Sequence, residues 1–276
     1  MYDVDNGTQE IKNAGDYGNI FLFTQPGVRP LSTDSGSALS TKVWLQASPE
    51  TVANYSAVCY ETARNLVDLH LGKSIPIGLI WTAVGGTPVQ HWMPEPAFSY
   101  QDCHQKFNRS NQDASLFDTI IRPLQNYSHR GVIWYQGEAN VKGHQRYLGG
   151  KYGGCFKAMI SEWRNSFGIG DFAFIFVQLS PYRNSGNISE VRMQQASALP
   201  APGIGDGVDT TGMVVTIDTG DVLGTDRGVH SHHKAVSALT RRALALALTL
   251  AHAPTQPLLL LLLLRLLSVL ILLLLT

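Results

Sequence analysis

Short apolar runs alternate with longer amphipathic stretches between residues 19 and 250, and this alternation limits the fold more than any other feature. Strands that alternate with helices form a parallel sheet covered by helices on both faces. The apolar runs are rich in β-branched and aromatic residues and do not alternate with polar ones, which predicts strands buried on both faces. The expected fold is a three-layer α/β/α domain. The predicted strands cover residues 19–24, 75–80, 131–135, 172–178 and 213–217.

The clearest helix is predicted over residues 144–167, because apolar side chains recur there at three- and four-residue spacing along one stripe. Glycines in its first turns each cost roughly 1 kcal/mol relative to alanine, so we expect the helix to begin nearer Gly154. The polar, proline-containing stretch 90–112 is predicted to be a long surface loop near the site. The other predicted helices cover residues 51–71, 113–125, 189–199 and 233–250.

The charge balance argues against nucleic acid as a partner. Lys+Arg and Asp+Glu are equal at 21 each, and no basic run is present. Binding to a phosphate backbone requires a positive field, which this composition does not supply.

The glycosylation sequons favour the secretory pathway. There are five Asn-x-Ser/Thr sequons, more than chance would place in this composition. The three cysteines are too few for a disulfide scaffold and leave at least one thiol unpaired or paired outside the chain. No signal peptide opens the sequence, so either the protein is not secreted or its true start lies upstream. The sequons are at Asn6, Asn54, Asn108, Asn126 and Asn187, of which Asn54 falls on a predicted helix.

The final segment, residues 253–276, is almost pure leucine from Pro257 onward. About 20 apolar residues can span a bilayer, so one interpretation is a membrane anchor. A leucine-rich, low-complexity run at a chain end is equally well explained as a wrongly translated exon or intron. Both interpretations leave the tail out of the folded domain, which is predicted over residues 1–252, and a membrane contact is expected only through this tail.

Two of the predicted strands end in glycine-containing turns. In a parallel sheet such strand ends face the ligand crevice. Glycine lets a backbone N–H approach a substrate oxygen, so Gly137 N–H and the Asn140 amide could stabilise an oxyanion. The Gly-Gly pair after the strand at 75–80 is also typical of an ordinary tight turn, and Glu138 could orient a histidine or lie in solvent. The candidate substrate-binding residues at these strand ends are Gly85, Gly86, Gln136 and Glu138.

A histidine cluster opens the last predicted helix. A histidine placed there can act as a general base, because its pKa near neutrality suits proton transfer from a serine hydroxyl. His230 and His233 also fit a helical i, i+3 pair of metal ligands. No cysteine or carboxylate at ligand spacing completes such a set, so neither a metal nor a cofactor is expected.

Taken in this order, the segments resemble the sialate O-acetylesterase family of carbohydrate esterases, whose members have an SGNH-hydrolase-like, flavodoxin-like domain. The resemblance covers roughly residues 1–250. It implies hydrolysis of O-acetyl esters on sialic acids, in the lysosome or outside the cell, without a cofactor. Its most specific parts are residues 77–92 with Gly-Gly-Thr-Pro, 134–140, 162–179 and 212–218.

The same resemblance implies the roles of individual residues. In the family the nucleophilic serine lies in a Gly-Gln-Ser-Asn-Met motif, and Met1 resembles the methionine of that motif. The serine would then lie two residues before Met1, so the domain is expected to be incomplete and the chain as it stands inactive. Gly137 and Asn140 correspond to the oxyanion hole, and His230 corresponds to the catalytic histidine.

The acid partner of His230 is less clearly indicated. SGNH enzymes usually place an aspartate three residues before the histidine, and Arg227 occupies that position here. Asp226 and Glu138 are the candidates for this role. Two alternatives to an esterase remain open, a non-catalytic module that binds sialoglycans and a fragment from a wrong gene prediction that does not fold.

Overall fold

The structure is a computed structural model that describes residues 4–26, 43–141, 146–181, 188–200 and 210–220, together with the backbone of 269–275. Within these ranges the chain forms an α/β fold around one seven-stranded sheet. The strands are β1 (Ile20–Thr24), β2 (Leu45–Gln46), β3 (Ile77–Trp81), β4 (Gly131–Tyr135), β5 (Ala173–Val177), β6 (Thr211–Val214) and β7 (Val269–Leu275).

The sheet has the strand order β2-β1-β3-β7-β4-β5-β6. The short edge strand β2 pairs antiparallel with β1, and every other pairing is parallel. The predicted α/β class with a parallel sheet is therefore confirmed. Every residue of β5 is buried, and so are the first four residues of β3 and of β4, as expected for strands covered on both faces.

The central strand β7 belongs to the leucine-rich tail, which the sequence analysis kept outside the domain. Its backbone pairs in parallel with β3 on one side and with β4 on the other, so that Ile271 is opposite both Leu79 and Gly131. A short apolar run is the composition expected of a strand at the centre of a parallel sheet. No helix within the described residues is long and apolar enough to cross a membrane. The membrane-anchor interpretation of the tail stays a prediction.

The observed helices are shorter than the predicted ones. They are α1 (Gly7–Asn13), α2 (Pro49–Ala53), α3 (Ala57–Leu66), α4 (Val89–Trp92), α5 (Tyr152–Phe167) and α6 (Ile188–Ala196).

The helix predicted over 51–71 is divided into α2 and α3 by a second cap. Ser48 caps α2 in a capping box with Thr51, and Ser56 caps α3 by accepting a hydrogen bond from Cys59 N at 3.3 Å. The helix predicted over 113–125 is a π turn followed by a 3-10 turn that contains Pro123, a residue without a backbone N–H. Two predictions agree better with the structure, since α5 begins two residues before Gly154 and α6 lies within 189–199 apart from its first residue. The helix predicted over 233–250 lies outside the described residues.

Among the strands, β4 matches its prediction, and β6 ends three residues earlier than the predicted 213–217. The pairing between β5 and β6 ends at Val177 opposite Val214. Beyond that point Val215 and Ile217 are 49% and 56% exposed, so the apolar sequence continues where the sheet does not.

The prediction of a surface loop over residues 90–112 is wrong in part, because several of its residues are buried although others are exposed. Trp92, Met93 and Phe98 are buried in the core cluster that covers one face of the sheet. Cys103 is also buried and forms a disulfide with Cys155 in α5, which fixes the segment to that helix. Aromatic burial and the crosslink override the polar composition that indicated a loop. Cys59 is buried and unpaired.

Candidate active site

Two loops leave the carboxyl edge of the sheet after β3 and after β4, the strands on either side of β7. The β3 loop, residues 82–88, contains Gly85 and Gly86, and the β4 loop, residues 136–141, contains the predicted oxyanion residues. Two hydrogen bonds connect the loops. Gln136 Nε2 donates to Thr87 O at 3.2 Å, and Val89 N, at the start of α4, donates to Asn140 Oδ1 at 2.9 Å. The structure thus brings together the two glycine-containing segments that the sequence indicated.

The Asn140 side chain is the centre of this connection, and it is only 1% exposed. Its Oδ1 accepts hydrogen bonds from Val89 N and from Gln136 Nε2, the latter at 2.8 Å. Its Nδ2 donates to Gln90 Oε1 at 2.8 Å and to Arg146 O at 2.9 Å. Both amide hydrogens and both acceptor positions are therefore used within the protein, which fixes the orientation of the amide.

Gln136 extends the network towards the helices. It is fully buried, and its Oε1 accepts a hydrogen bond from the Tyr152 hydroxyl at 3.0 Å. Its backbone oxygen accepts a bond from Gln195 Nε2 at 3.1 Å, and Gln195 also bonds to Leu179 N and Val177 O. The β4 loop is thereby attached to the starts or ends of α5, α6 and β5, a rigid support for a site.

Gly137 has a backbone conformation that only glycine adopts readily, with φ 149° and ψ −22°. A Cβ at this position would lie 3.1 Å from Leu179 Cδ1. The conformation turns the chain directly into the 3-10 turn Glu138–Asn140, in which Asn140 N donates to Gly137 O at 3.0 Å. Gly137 thus allows the chain to turn sharply after β4, and the Asn140 side chain that follows is buried.

Glu138 is half-buried at the start of this turn. Burial raises the pKa of Tyr135 and of Tyr152, and the negative charge of Glu138 raises both further. Tyr135 OH lies 3.2 Å from Ser180 Oγ at the carboxyl ends of β4 and β5. Both tyrosines therefore stay protonated and act as hydrogen-bonding groups at neutral pH.

The Gly-Gly turn of the β3 loop is exposed. Gly86 has φ 72°, and no atom lies within 4 Å of the place of its missing Cβ. The Thr87 hydroxyl that follows donates to Val84 O at 2.7 Å and accepts a bond from Trp92 Nε1 at 2.9 Å. These two bonds give Thr87 a structural role, while the backbone of the glycines faces solvent.

An ion pair between half-buried Arg146 and buried Asp113 supports the network from outside the two loops. Arg146 Nη2 bonds to Asp113 Oδ1, and Asp113 is 4% exposed. Asp113 Oδ2 also accepts a bond from Asn108 N at 2.9 Å. The pair holds the stretch whose backbone oxygen, Arg146 O, accepts hydrogen bonds from Asn140 and from Gln90.

Several residues of this network were missed by the sequence analysis. The side-chain bonds that place them span 16 positions from Tyr152 to Gln136, 33 from Arg146 to Asp113, 50 from Gln90 to Asn140 and 59 from Gln195 to Gln136, so no local spacing indicates them. The missed residues are Gln90, Asp113, Arg146, Tyr152 and Gln195.

The predicted base and its first candidate acid, His230 and Asp226, lie outside the described residues, as does His233. Within the described ranges no three His, Cys, Asp or Glu side chains lie close enough to hold a metal ion.

The sequence was then compared with known families. The profile of the family described as carbohydrate esterase, sialic acid-specific acetylesterase, matches residues 45–249, which is more than half of the chain. The chain belongs to this family. This match confirms the family prediction. The matched range also contains both loops and every predicted site residue of the acetylesterase resemblance.

Curated relatives of the acetylesterase family align over part of their length. Human sialate O-acetylesterase is 30% identical over an alignment 204 positions long, which covers 65% of this chain and 37% of the relative. Mouse sialate O-acetylesterase is 26% identical over an alignment 286 positions long, gaps included, which covers 84% of this chain and 50% of the relative. The chain therefore spans about half the length, or less, of these relatives.

Two solved structures share the fold. A carbohydrate acetylesterase from Xanthomonas citri has a TM-score of 0.67 and 27% identity, over 91% of this chain and 52% of that one. A protein from Arabidopsis thaliana, 19% identical with a TM-score of 0.50, covers 85% of this chain and 82% of its own and shares the fold. The acetylesterase family supports an esterase as the general function.

Proposed function

We propose that this chain forms most of the catalytic domain of a sialate O-acetylesterase, which hydrolyses O-acetyl esters on sialic acids. The observation that carries the proposal is the family match over residues 45–249, within which the β3 and β4 loops are hydrogen-bonded to each other. Crevices at the carboxyl edge of a parallel sheet are the usual ligand sites of α/β proteins. The substrate is an O-acetylated sialic acid or sialoglycoconjugate.

The chemistry follows from the roles that the family implies. A serine hydroxyl attacks the acetyl carbonyl, and His230 takes the proton and returns it to the departing sugar hydroxyl. Water then releases acetate from the acyl-enzyme by the same proton transfers. Asp226 or Glu138 would orient His230, and the serine would lie upstream of Met1. The reaction needs no redox or metal step from this chain.

The oxyanion is proposed to accept hydrogen bonds from Gly137 N–H and from Asn140 Nδ2. The Gly137 turn supports this role, because conformations that only glycine adopts readily are common where a backbone N–H has to approach a ligand. Asn140 Nδ2 already donates to Gln90 Oε1 and to Arg146 O. To stabilise an oxyanion it must exchange one of these bonds for the substrate, and the Gln90 side chain is the partner better able to move.

Gly85, Gly86 and Glu138 are proposed to contact the sugar. Gly85 and Gly86 offer exposed backbone N–H groups beside the β4 loop, and Glu138 lies half-buried at its start. Gln136 is proposed to act through the buried bonds that it makes to the β3 loop and to Tyr152. Nucleic acid is not proposed as a partner, and contact with a membrane is proposed only through the leucine-rich tail.

We further propose that the protein is a glycoprotein of the secretory pathway, lysosomal or extracellular. The disulfide between Cys103 and Cys155 supports this proposal, because disulfides persist in oxidising compartments. Three of the five sequon asparagines are exposed, namely Asn6, Asn108 and Asn126. Asn54 is half-buried at the end of α2, and Asn187 lies outside the described residues.

The test measures acetate release from O-acetylated sialic acid. Residues 1–276 alone should give only background, whereas a longer product of the same gene that carries Gly-Gln-Ser-Asn before Met1 should be active. In that product His230→Ala should reduce the rate to about 10³–10⁴ over water, and His232→Ala should leave it intact.

Two outcomes would contradict the assignment. Activity of residues 1–276 that is lost with Thr87→Ala or Thr82→Ala would place the nucleophile inside this chain. Tight binding of sialoglycans by the longer product without any hydrolysis would instead identify a binding module.

A further inference from the structure

Four buried polar side chains form a continuous row of hydrogen bonds at the carboxyl edge of the sheet. The Tyr152 hydroxyl donates to Gln136 Oε1 at 3.0 Å, and Gln136 Nε2 donates to Asn140 Oδ1 at 2.8 Å. Asn140 Nδ2 donates to Gln90 Oε1 at 2.8 Å, and Gln90 Nε2 donates to Arg146 O at 3.1 Å. Every bond of this amide row runs in the same direction, from Tyr152 to Arg146.

Backbone groups beside the amide row fix its direction. Val89 N–H can only donate, so the atom of the Asn140 side chain that lies 2.9 Å from Val89 N is the oxygen. Arg146 O can only accept, so the Asn140 atom that lies 2.9 Å from it is the nitrogen. Thr87 O fixes the Gln136 amide in the same way, because it accepts a bond from Gln136 Nε2 at 3.2 Å. The orientation of each amide therefore follows from the backbone around it.

Reversing the Asn140 amide would be costly. The bonds from Val89 N and Gln136 Nε2 to Asn140 Oδ1 would both be lost, and this oxygen would instead face Arg146 O. Each buried polar group left without a partner costs about 1–3 kcal/mol. Of the two donors to Oδ1, Gln136 is the one that belongs to a side chain, so a substitution can change it.

We infer that Gln136 is a positioning residue, which holds the Asn140 amide with Oδ1 towards Val89 N and Nδ2 towards Gln90. The inference rests on the proposed function in one step only, the exchange of the Gln90 bond for an oxyanion. The Gln136 side chain is fully buried and bonded at both ends, to Tyr152 at Oε1 and to Asn140 at Nε2. It therefore acts on the substrate through Asn140.

Gln136→Glu separates the direction of the amide row from its shape. A carboxylate can only accept, so in its ionised form the new side chain opposes Asn140 Oδ1 and favours the reversed amide. A neutral carboxylic acid has an O–H that can donate to Oδ1 and restore the row. Burial disfavours the ionised form, so we expect the new carboxyl to ionise well above its ordinary pKa of about 4.3. Gln136→Met, which neither donates strongly nor ionises, is the matched control.

Hydrogen exchange in residues 1–276 provides the first test and requires no catalytic activity. In Gln136→Glu, the protection factor of the Val89 amide should fall by more than about tenfold as the carboxyl ionises between pH 5 and about pH 9. The amide of Gln178, which donates to Val214 O at 2.9 Å outside the row, should keep its protection. Gln136→Met should show no such dependence on pH. A Val89 protection factor in Gln136→Glu that does not change with pH would overturn the inference.

A loss of protection at Gln178 as well would show that the ionised variant has opened its fold. The comparison is then made at acid pH, where Gln136→Glu should protect Val89 more strongly than Gln136→Met does. Equal protection in these two variants would contradict the inference.

Kinetics of the longer gene product that carries the serine provide the second test. At high pH, Gln136→Glu should lower kcat relative to wild type by about 10²-fold with little change in KM, the loss expected for a single oxyanion donor. The ratio to wild type should recover as the pH falls, for an aryl acetate and for O-acetylated sialic acid alike. A ratio equal to that of Gln136→Met at every pH would refute the positioning role.

Failure of the proposed function would give a different result. Hydrolysis of the aryl acetate without hydrolysis of O-acetylated sialic acid would reject the substrate and leave the role of Gln136 intact. If neither ester is hydrolysed, the esterase proposal fails, and the exchange of the Val89 amide still decides how Asn140 is held.

Discussion

Asn140 Nδ2 donates a 2.8 Å hydrogen bond to Gln90 Oε1, and the two residues are 50 positions apart in the chain. The bond joins α4, which follows the β3 loop, to the turn that follows β4. Its two partners are both buried, with exposures of 1% and 5%. The geometry of the candidate oxyanion hole therefore depends on Gln90, which lies in the segment 90–112 that was predicted to be a surface loop.

Replacing Asn140 with alanine should destabilise the fold as well as impair catalysis. The change leaves Val89 N, Gln136 Nε2, Gln90 Oε1 and Arg146 O without one partner each, at a combined cost of about 2–4 kcal/mol. Urea unfolding at neutral pH measures this loss. The exposed Asn165→Ala should change the free energy of unfolding by less than about 0.5 kcal/mol.

In the longer gene product that carries the serine, Asn140→Ala should lower kcat by about 10²–10³ with little change in KM. A raised KM with an intact kcat would instead make Asn140 a residue that binds substrate in the ground state.

Gly137→Ala should cost about 2–3 kcal/mol of stability, because alanine at φ 149° is strained and its Cβ meets Leu179. Adding Leu179→Ala removes the contact but not the backbone strain, so the double variant should not recover. Gly168→Ala, at φ 63° with open space around the Cβ, is the control and should cost about 1–2 kcal/mol. Thermal unfolding compares the three, and full recovery in the double variant would show that the contact alone matters.

His129 should make the folded protein sensitive to mild acid. Its ring contacts those of Phe167 and Phe172 at 4.6 and 4.4 Å between centroids, and burial lowers the pKa of His129 from 6.5 to about 4. Between these two values the unfolded chain binds a proton that the folded chain does not, so stability falls as the pH falls through this window. The loss from this group is at most about 3 kcal/mol.

Unfolding free energies between pH 7 and pH 4 test the role of His129. His129→Leu should flatten the slope over this window, whereas the exposed His70→Gln keeps His129 and should retain it. An unchanged slope in His129→Leu would assign the acid sensitivity to other groups.

Loss of the disulfide should be the most damaging change outside the site. The bond between Cys103 and Cys155 closes a loop of 52 residues, for which the chain-entropy estimate is about 4 kcal/mol. Guanidinium unfolding of Cys103→Ala/Cys155→Ala, and of the wild type with a reductant, should give similar losses. Cys59→Ala, which removes a buried unpaired thiol, should cost clearly less and should not respond to the reductant.

The parts of the fold that depend on local composition were predictable. The buried run at 131–135 matches β4 because a parallel strand buried on both faces needs a continuous apolar sequence. The break between α2 and α3 was missed because Ser56 caps a new helix inside a sequence with acceptable helix propensity. The bond between Asn140 and Gln90 could not be predicted, since it is made only after distant segments have packed. The role of residues 269–275 was missed because low-complexity leucine gives no register.

The position of β7 at the end of the sequence affects how the sheet is made during protein synthesis. The strands β3 and β4 leave the ribosome well before residues 269–275 are translated. At about 5–20 residues per second, the interval between β4 and β7 lasts roughly 7–28 s. During this time each of the two strands exposes an edge that can pair with another nascent or unfolded chain. The rate of translation between β4 and β7 should therefore influence the yield of folded protein.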